Sequence, residues 1–178
     1  MPPGAPSEYA TLPFTPLHFG YGALIHAAAP RRISFLAFCA VNVAIDLEPL
    51  YYMTTGQYPL HRFFHTLPGA GLAAATVLAA HAVLRLPAIA ARLPDVLAWK
   101  SIAPRNALLG VLVGAVTHVV LDAVMHADLR PLSPVSDANP FLGLVAIDQL
   151  NFSCLLAASC AAALLGFRRL ARGAGRAS

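Results

Sequence analysis

The sequence predicts an all-α, polytopic membrane helix bundle: four transmembrane helices plus a short N-terminal helix able to insert beside them. Three observations lead there. Apolar residues make up 58% of the 178 positions and charged residues only 11%, where a soluble domain carries about a quarter charged. The apolar residues gather into runs, four of which reach the ~20 residues that cross a hydrocarbon core. Prolines fall between the runs, where helices have to end. The same figures exclude a disordered chain. A scattered net charge of +4 is too weak to predict a nucleic-acid partner; the expected partner is the lipid bilayer.

The chain reads as a proline-rich N-terminal tail over 1–16, one helical membrane domain over 17–170 and a basic C-terminal tail over 171–178. The tail has no basic region followed by an apolar stretch, so no signal peptide is expected and targeting falls to the first helix. Segment one, Leu17 to Ala29, has 13 residues and reaches about 20 Å at ~1.5 Å per residue, short for a full crossing. Segment two, Ile33 to Met53, is interrupted by Asn42, Asp46 and Glu48. Segment three runs from about Thr66 to Leu86, segment four from about Asn106 to Ala127, and segment five from about Leu144 to Phe167. Helix breaks are expected at Pro30, near Pro49, over Pro87 to Pro104 and over Pro131 to Pro140. Cys39, Cys154 and Cys160 lie in apolar runs with no C-x-x-C pair and read as packing residues.

Basic residues set an orientation. Arg31, Arg32, Arg85, Arg92, Lys100, Arg105, Arg168, Arg169, Arg172 and Arg176 fall on one side of an alternating topology, and only Arg62 and Arg130 on the other. The positive-inside rule makes the first side cytoplasmic. Loops 54–65 and 128–143 then face outward.

Ligand-type side chains collect toward the outer side. His18 lies 13 residues before Arg31, Asp46 lies 14 after Arg32, and His118 lies 13 after Arg105. Each therefore stands about 20 Å from the inner turns. His61 and His65 are i, i+4 and share a face if helical. His118, Asp122 and His126 form an H-x-x-x-D-x-x-x-H stripe on one helix face. Asp46 and Glu48 are i, i+2 and diverge on a regular helix, but Pro49 biases Glu48 out of helical geometry, so the helix is expected to end there and let both acids turn inward. Ionisable groups at such depth are costly and mark function.

Four separate stretches delivering imidazoles and carboxylates to one layer predict a metal site of His18, Asp46, His61, His65, His118 and Asp122. Mixed nitrogen and oxygen ligands suit zinc, one ion or two, with iron or manganese as alternatives. Glu48 reads as a further ligand or a general base. Arg62 reads as the group that holds an anionic substrate, against the plainer reading of an interfacial, snorkelling arginine. His126 stands evenly between ligand and packing residue, and Asp148 between orienting a ligand histidine and capping a helix. His26, His81 and Asn42 read as hydrogen-bonded packing residues, and Gly110-x-x-x-Gly114 as a close-packing signature.

The run Pro13-Phe14-Thr15-Pro16-Leu17-His18-Phe19-Gly20, the acidic Ile45-Asp46-Leu47-Glu48-Pro49, the block His61-Arg62-Phe63-Phe64-His65-Thr66 and the block Thr117-His118-Val119-Val120-Leu121-Asp122 occur in that order. Together they resemble the motifs of membrane-bound metal-dependent hydrolases, a family of small bacterial inner-membrane proteins that includes the YdjM-like proteins. The likeness covers about residues 13 to 135. It departs at Glu48, where the family carries Asp, at Phe64, where it carries Thr, at Thr66, where it carries Ser, and at Ile45, where it carries Pro. The resemblance implies a hydrolase in the inner membrane, acting on an ester or phosphoester, lipid-linked substrates included. The alternatives are a metal-binding or metal-transporting membrane protein without turnover, and a scaffold whose polar cluster is a hydrogen-bond network.

Overall fold

The computed structural model describes residues 17–30 and 32–174. The expected N-terminal tail over 1–16, Arg31 and residues 175–178 lie outside the described residues. Within them the chain forms five α-helices: α1 (Phe19–Ala28), α2 (Phe35–Thr54), α3 (Leu67–Ala90), α4 (Pro104–Met125) and α5 (Ile147–Ala174). Short 3-10 turns occupy Phe63–His65 and Val96–Ser101. The all-α class is as the hydropathy pattern predicts, and α2 to α5 are long and apolar enough to cross a membrane. The ten residues of α1 span about 15 Å, which fits its separate standing as the short helix.

Local signals fix most helix starts. The Ser34 hydroxyl accepts from the Ala37 N–H at 3.2 Å and caps α2. The Thr66 hydroxyl accepts from the Gly69 N–H at 3.1 Å and caps α3. Each satisfies an N–H that the first helical turn leaves without a partner. Pro104 opens α4 at a position where its missing N–H costs nothing.

One expected break does not occur: helix α2 runs through Pro49 to Thr54. Helix α3 passes Pro87 and ends at Ala90, inside the break expected over Pro87 to Pro104. A proline removes one backbone hydrogen bond, but long helices of the membrane-spanning kind tolerate it because neighbouring groups re-satisfy the freed carbonyl. Helix α5 also outruns its apolar segment and carries Arg168, Arg169 and Arg172 on its last turns, reaching Ala174 inside the stretch read as a basic tail over 171–178.

Helix α4 is the central element. Its spanning window is 56% buried, against 28% or less for the other three. Its Ala107, Val111, Ala115 and Val119 pack into a core with Ala37, Val41 and Ile45 of α2 and Ala70, Ala73 and Ala74 of α3. Helix α1 packs chiefly on α5. Close approach of α4 to α2 depends on Gly110 and Gly114: a Cβ on Gly114 would stand 2.6 Å from Val41 Cγ1 and 2.9 Å from the Phe38 carbonyl oxygen. Large apolar side chains such as Leu72, Val83 and Leu86 of α3 and Phe152 and Leu155 of α5 face outward, as they do on helices solvated by lipid tails.

The beginnings of α1, α3 and α5 and the ends of α2 and α4 carry the polar side chains. His18, Asp46, His65, His118 and Asp122 therefore meet at one end of the bundle.

Candidate metal centre

The centre is built outward from His118. This residue sits fully buried one turn beyond Gly114, where α4 approaches α2 closely. Asn42 of α2 donates its amide N–H to the Phe38 carbonyl at 2.7 Å, which turns its Oδ1 toward His118 Nδ1, 2.9 Å away. An acceptor at that place requires Nδ1 to carry the proton and leaves the Nε2 lone pair free. Nε2 faces Asp46 Oδ1 and Asp122 Oδ2, both at 3.1 Å, and His65 Nε2 at 3.4 Å.

His65 is oriented in the same way by a different residue. The short turn Phe63–His65 lies across the start of α3, where a Cβ on Gly69 would overlap the Phe63 carbonyl. The buried ring stands between the two acids of α2. Nδ1 is 3.4 Å from Glu48 Oε2, and Nε2 is 3.7 Å from Asp46 Oδ1 and 3.4 Å from Asp122 Oδ2. Asp46 and Glu48 thus engage the site without a helix end between them: they diverge as i, i+2 positions must, and one imidazole fills the gap. Glu48 Oε2 also accepts from the Arg62 and Phe64 N–H groups at 3.1 and 3.0 Å. Burial disfavours charge on His65, yet the facing carboxylates of Asp122, Asp46 and Glu48 outweigh it and raise its pKa well above the ordinary imidazole value. The carboxylates make this a place that favours positive charge.

One ligand atom each from Asp46, His65, His118 and Asp122 all lie within 4.8 Å of one another. Two imidazoles and two carboxylates form a four-ligand set suited to a divalent ion of the zinc, iron or manganese kind. Their other ring nitrogens are held by Asn42 and Glu48, as outer partners of metal-bound histidines are. Asp46 is the most open of the four, with 24% of its side chain exposed against 6% or less for the others. The donor set fits a metal ion by its chemistry as well as its spacing.

A second group adjoins the first. His61, Asp122 and His126 also offer ligand atoms within 4.8 Å of one another. His61 does not share a helix face with His65, because residues 61–65 are not a regular α-helix. Its ring stands 4.6 Å from His65 and 3.9 Å from His126, centroid to centroid. His61 Nδ1 lies 2.9 Å from Asp128 Oδ1, and Asp128 Oδ2 accepts from the Leu60 and His61 N–H groups. Burial pushes the Asp128 carboxyl up, but those bonds hold it well below the usual carboxylate range. Burial, reinforced by His61, lowers His126 to about 4, so its ring is neutral at pH 7.

The remaining expected residues fall outside both groups. His18 Nε2 is buried without a hydrogen-bond partner, 3.4 Å from Asp122 Oδ1, and His18 Nδ1 lies 3.4 Å from His118 Nδ1. Arg62 stacks its guanidinium 3.6 Å over the Tyr52 ring and donates Nε–H to the Pro59 carbonyl at 2.9 Å. It lines, with Tyr58, His61, Asp128 and Arg130, an open pocket of about 680 Å³ beside the second group. Asp148 is exposed in the first turn of α5; it orients no ligand histidine and suits the positive end of the helix. His26 and His81 are satisfied by the Ile33 and Trp99 carbonyls at 2.8 and 3.0 Å, as packing histidines should be.

Two residues, Asn42 and Asp128, have parts at the site that the sequence reading does not give them. Asn42 is one turn before Asp46 on the same face, a spacing that would have found it. Asp128, two residues past the stripe on α4, gives no such signal, since only the fold brings it to His61. His126, which stands evenly between ligand and packing residue in the sequence, joins the second group. No protein-family model, curated protein or solved structure matches the chain.

Proposed function

We propose that the protein is a membrane-embedded metal-dependent hydrolase of the bacterial inner membrane, with its site toward the outer face. The observation that carries the reading is the four-ligand set of Asp46, His65, His118 and Asp122, buried at one end of a bundle of apolar helices. Zinc is the preferred ion for this donor set. The resemblance to membrane-bound metal-dependent hydrolases supports the same class, and the distribution of arginines supports the orientation.

A bound divalent ion would lower the pKa of a coordinated water toward ~7 and supply hydroxide to an ester or phosphoester. The rest of the work falls to the chain itself. Asn42 and Glu48 hold the His118 and His65 rings in the tautomers that present Nε2. Glu48, held behind His65 by two backbone N–H groups, acts as a positioning residue. Arg62 and Arg130 on the wall of the open pocket supply positive charge for an anionic substrate group. A pocket at the membrane boundary suits a lipid or lipid-linked substrate.

The alternative, metal binding or transport without turnover, calls for a polar path through the bundle. Below the ligands, α4 presents Ala107, Val111 and Ala115 to apolar partners on α2 and α3, which favours a closed site over a conduit. The test is hydrolysis of lipid phosphoesters and esters by zinc-loaded, detergent-purified protein. The proposal expects turnover that His118→Ala abolishes; stoichiometric zinc without turnover on any ester or phosphoester supports the metal-binding alternative.

A further inference from the structure

We infer that His61, His126 and Asp122 form a second divalent-cation site, joined to the first through the shared carboxylate of Asp122. The inference rests on the reading of the four-ligand set as a metal centre and extends it to a pair of ions. Asp122 belongs to both groups: each set of ligand atoms lies within 4.8 Å, and Asp122 is the residue they have in common. A carboxylate has two oxygens and can serve two cations at once, and paired-ion hydrolytic sites are built this way.

The second group has its own outer support. The His61 Nδ1–H donates to Asp128 Oδ1 at 2.9 Å and leaves Nε2 as the ligand atom. Asp128 is itself pinned by the Leu60 and His61 backbone N–H groups. This carboxylate–histidine arrangement repeats, with different residues, what Glu48 does for His65 and is the usual backing of a metal-bound imidazole. Nothing in the four-ligand set needs Asp128, so the second site gives it a purpose. The rings of His61 and His126 lie 3.9 Å apart between centroids with an interplanar angle of 32°, and one ligand atom of each lies within 4.8 Å of a carboxylate oxygen of Asp122.

Position separates the two ions in role. His61 and Asp128 line the open pocket that Arg62 and Arg130 also border, whereas none of Asp46, His65, His118 and Asp122 does. The first ion is therefore enclosed by the bundle, and the second is the one that meets an anionic substrate and exchanges with solution.

The test counts ions. Zinc-loaded, detergent-purified full chain, desalted and measured by plasma mass spectrometry, should hold two ions per chain, and His126→Ala and His61→Ala one each. Asp128→Asn should keep both sites but weaken one of them about 10- to 100-fold. Manganese-loaded wild type should give the spin-coupled resonance of a carboxylate-bridged pair, and manganese-loaded His126→Ala that of an isolated ion. A wild type that binds one ion, retained in full by His126→Ala with an unchanged resonance, overturns the inference. Two ions without turnover would leave it standing and remove the hydrolase reading; one ion with turnover would do the reverse.

Discussion

The two halves of α4 have nearly the same exposure to their neighbours and opposite chemistry. From Ala107 to Ala115 the buried face is alanine, glycine and valine; from His118 to Asp122 it carries an imidazole and a carboxylate among the same helices. The first half lets backbones approach until side chains of α2 touch the glycines. The second half spends that proximity on ligands. Both halves depend on α4 lying close to α2, but only the second loses a function when the chemistry changes. Small-residue packing is thus the means, and the ligand layer the result.

Variants can pull the halves apart. The largest effect is expected from His118→Ala, which removes the ligand at the centre of the set. Metal affinity should fall more than about a hundredfold, beyond the range seen for outer-shell changes, as read by competition with a chromogenic chelator. Gly114→Val should come next. Its added side chain meets Val41 and the Phe38 carbonyl and should cost about 1–3 kcal/mol of stability through overpacking. Because it moves α4 away from Asn42, thermal unfolding in detergent and metal content should fall together.

Asn42→Ala should lower metal affinity about 10- to 100-fold by releasing the His118 tautomer, as read by the same chelator competition. Val111→Ala should have the smallest effect. It leaves a small cavity in the apolar half, costing about 1–2 kcal/mol, with metal affinity unchanged. A Val111→Ala protein that loses its metal would show that the halves are not separable in this way.

Much of this was legible in the residues. Hydropathy finds the four long helices because each stays apolar on average over a spanning length, even where acids or histidines interrupt it. The stripe His118, Asp122, His126 is legible because helical spacing alone places the three on one face. The i, i+4 spacing of His61 and His65 was less informative: the backbone there is a turn, and the rings meet different partners. Pro49 misled as a break because a proline's local cost is small beside the packing that keeps a long apolar helix intact. Of the two readings of Asp148, orienting acid or helix cap, its place in the first turn of α5 suits the second; orienting falls to Asn42, Glu48 and Asp128. Their roles arise from contacts across 17 to 76 positions of chain, which no local pattern records.

X-ray absorption at the zinc edge of the zinc-loaded, detergent-purified chain tests the central claim most directly. Coordination by Asp46, His65, His118 and Asp122 predicts a shell of nitrogen and oxygen at about 2.0–2.2 Å with imidazole scattering. A sulfur shell at about 2.3 Å, or zinc that leaves on desalting, would contradict it.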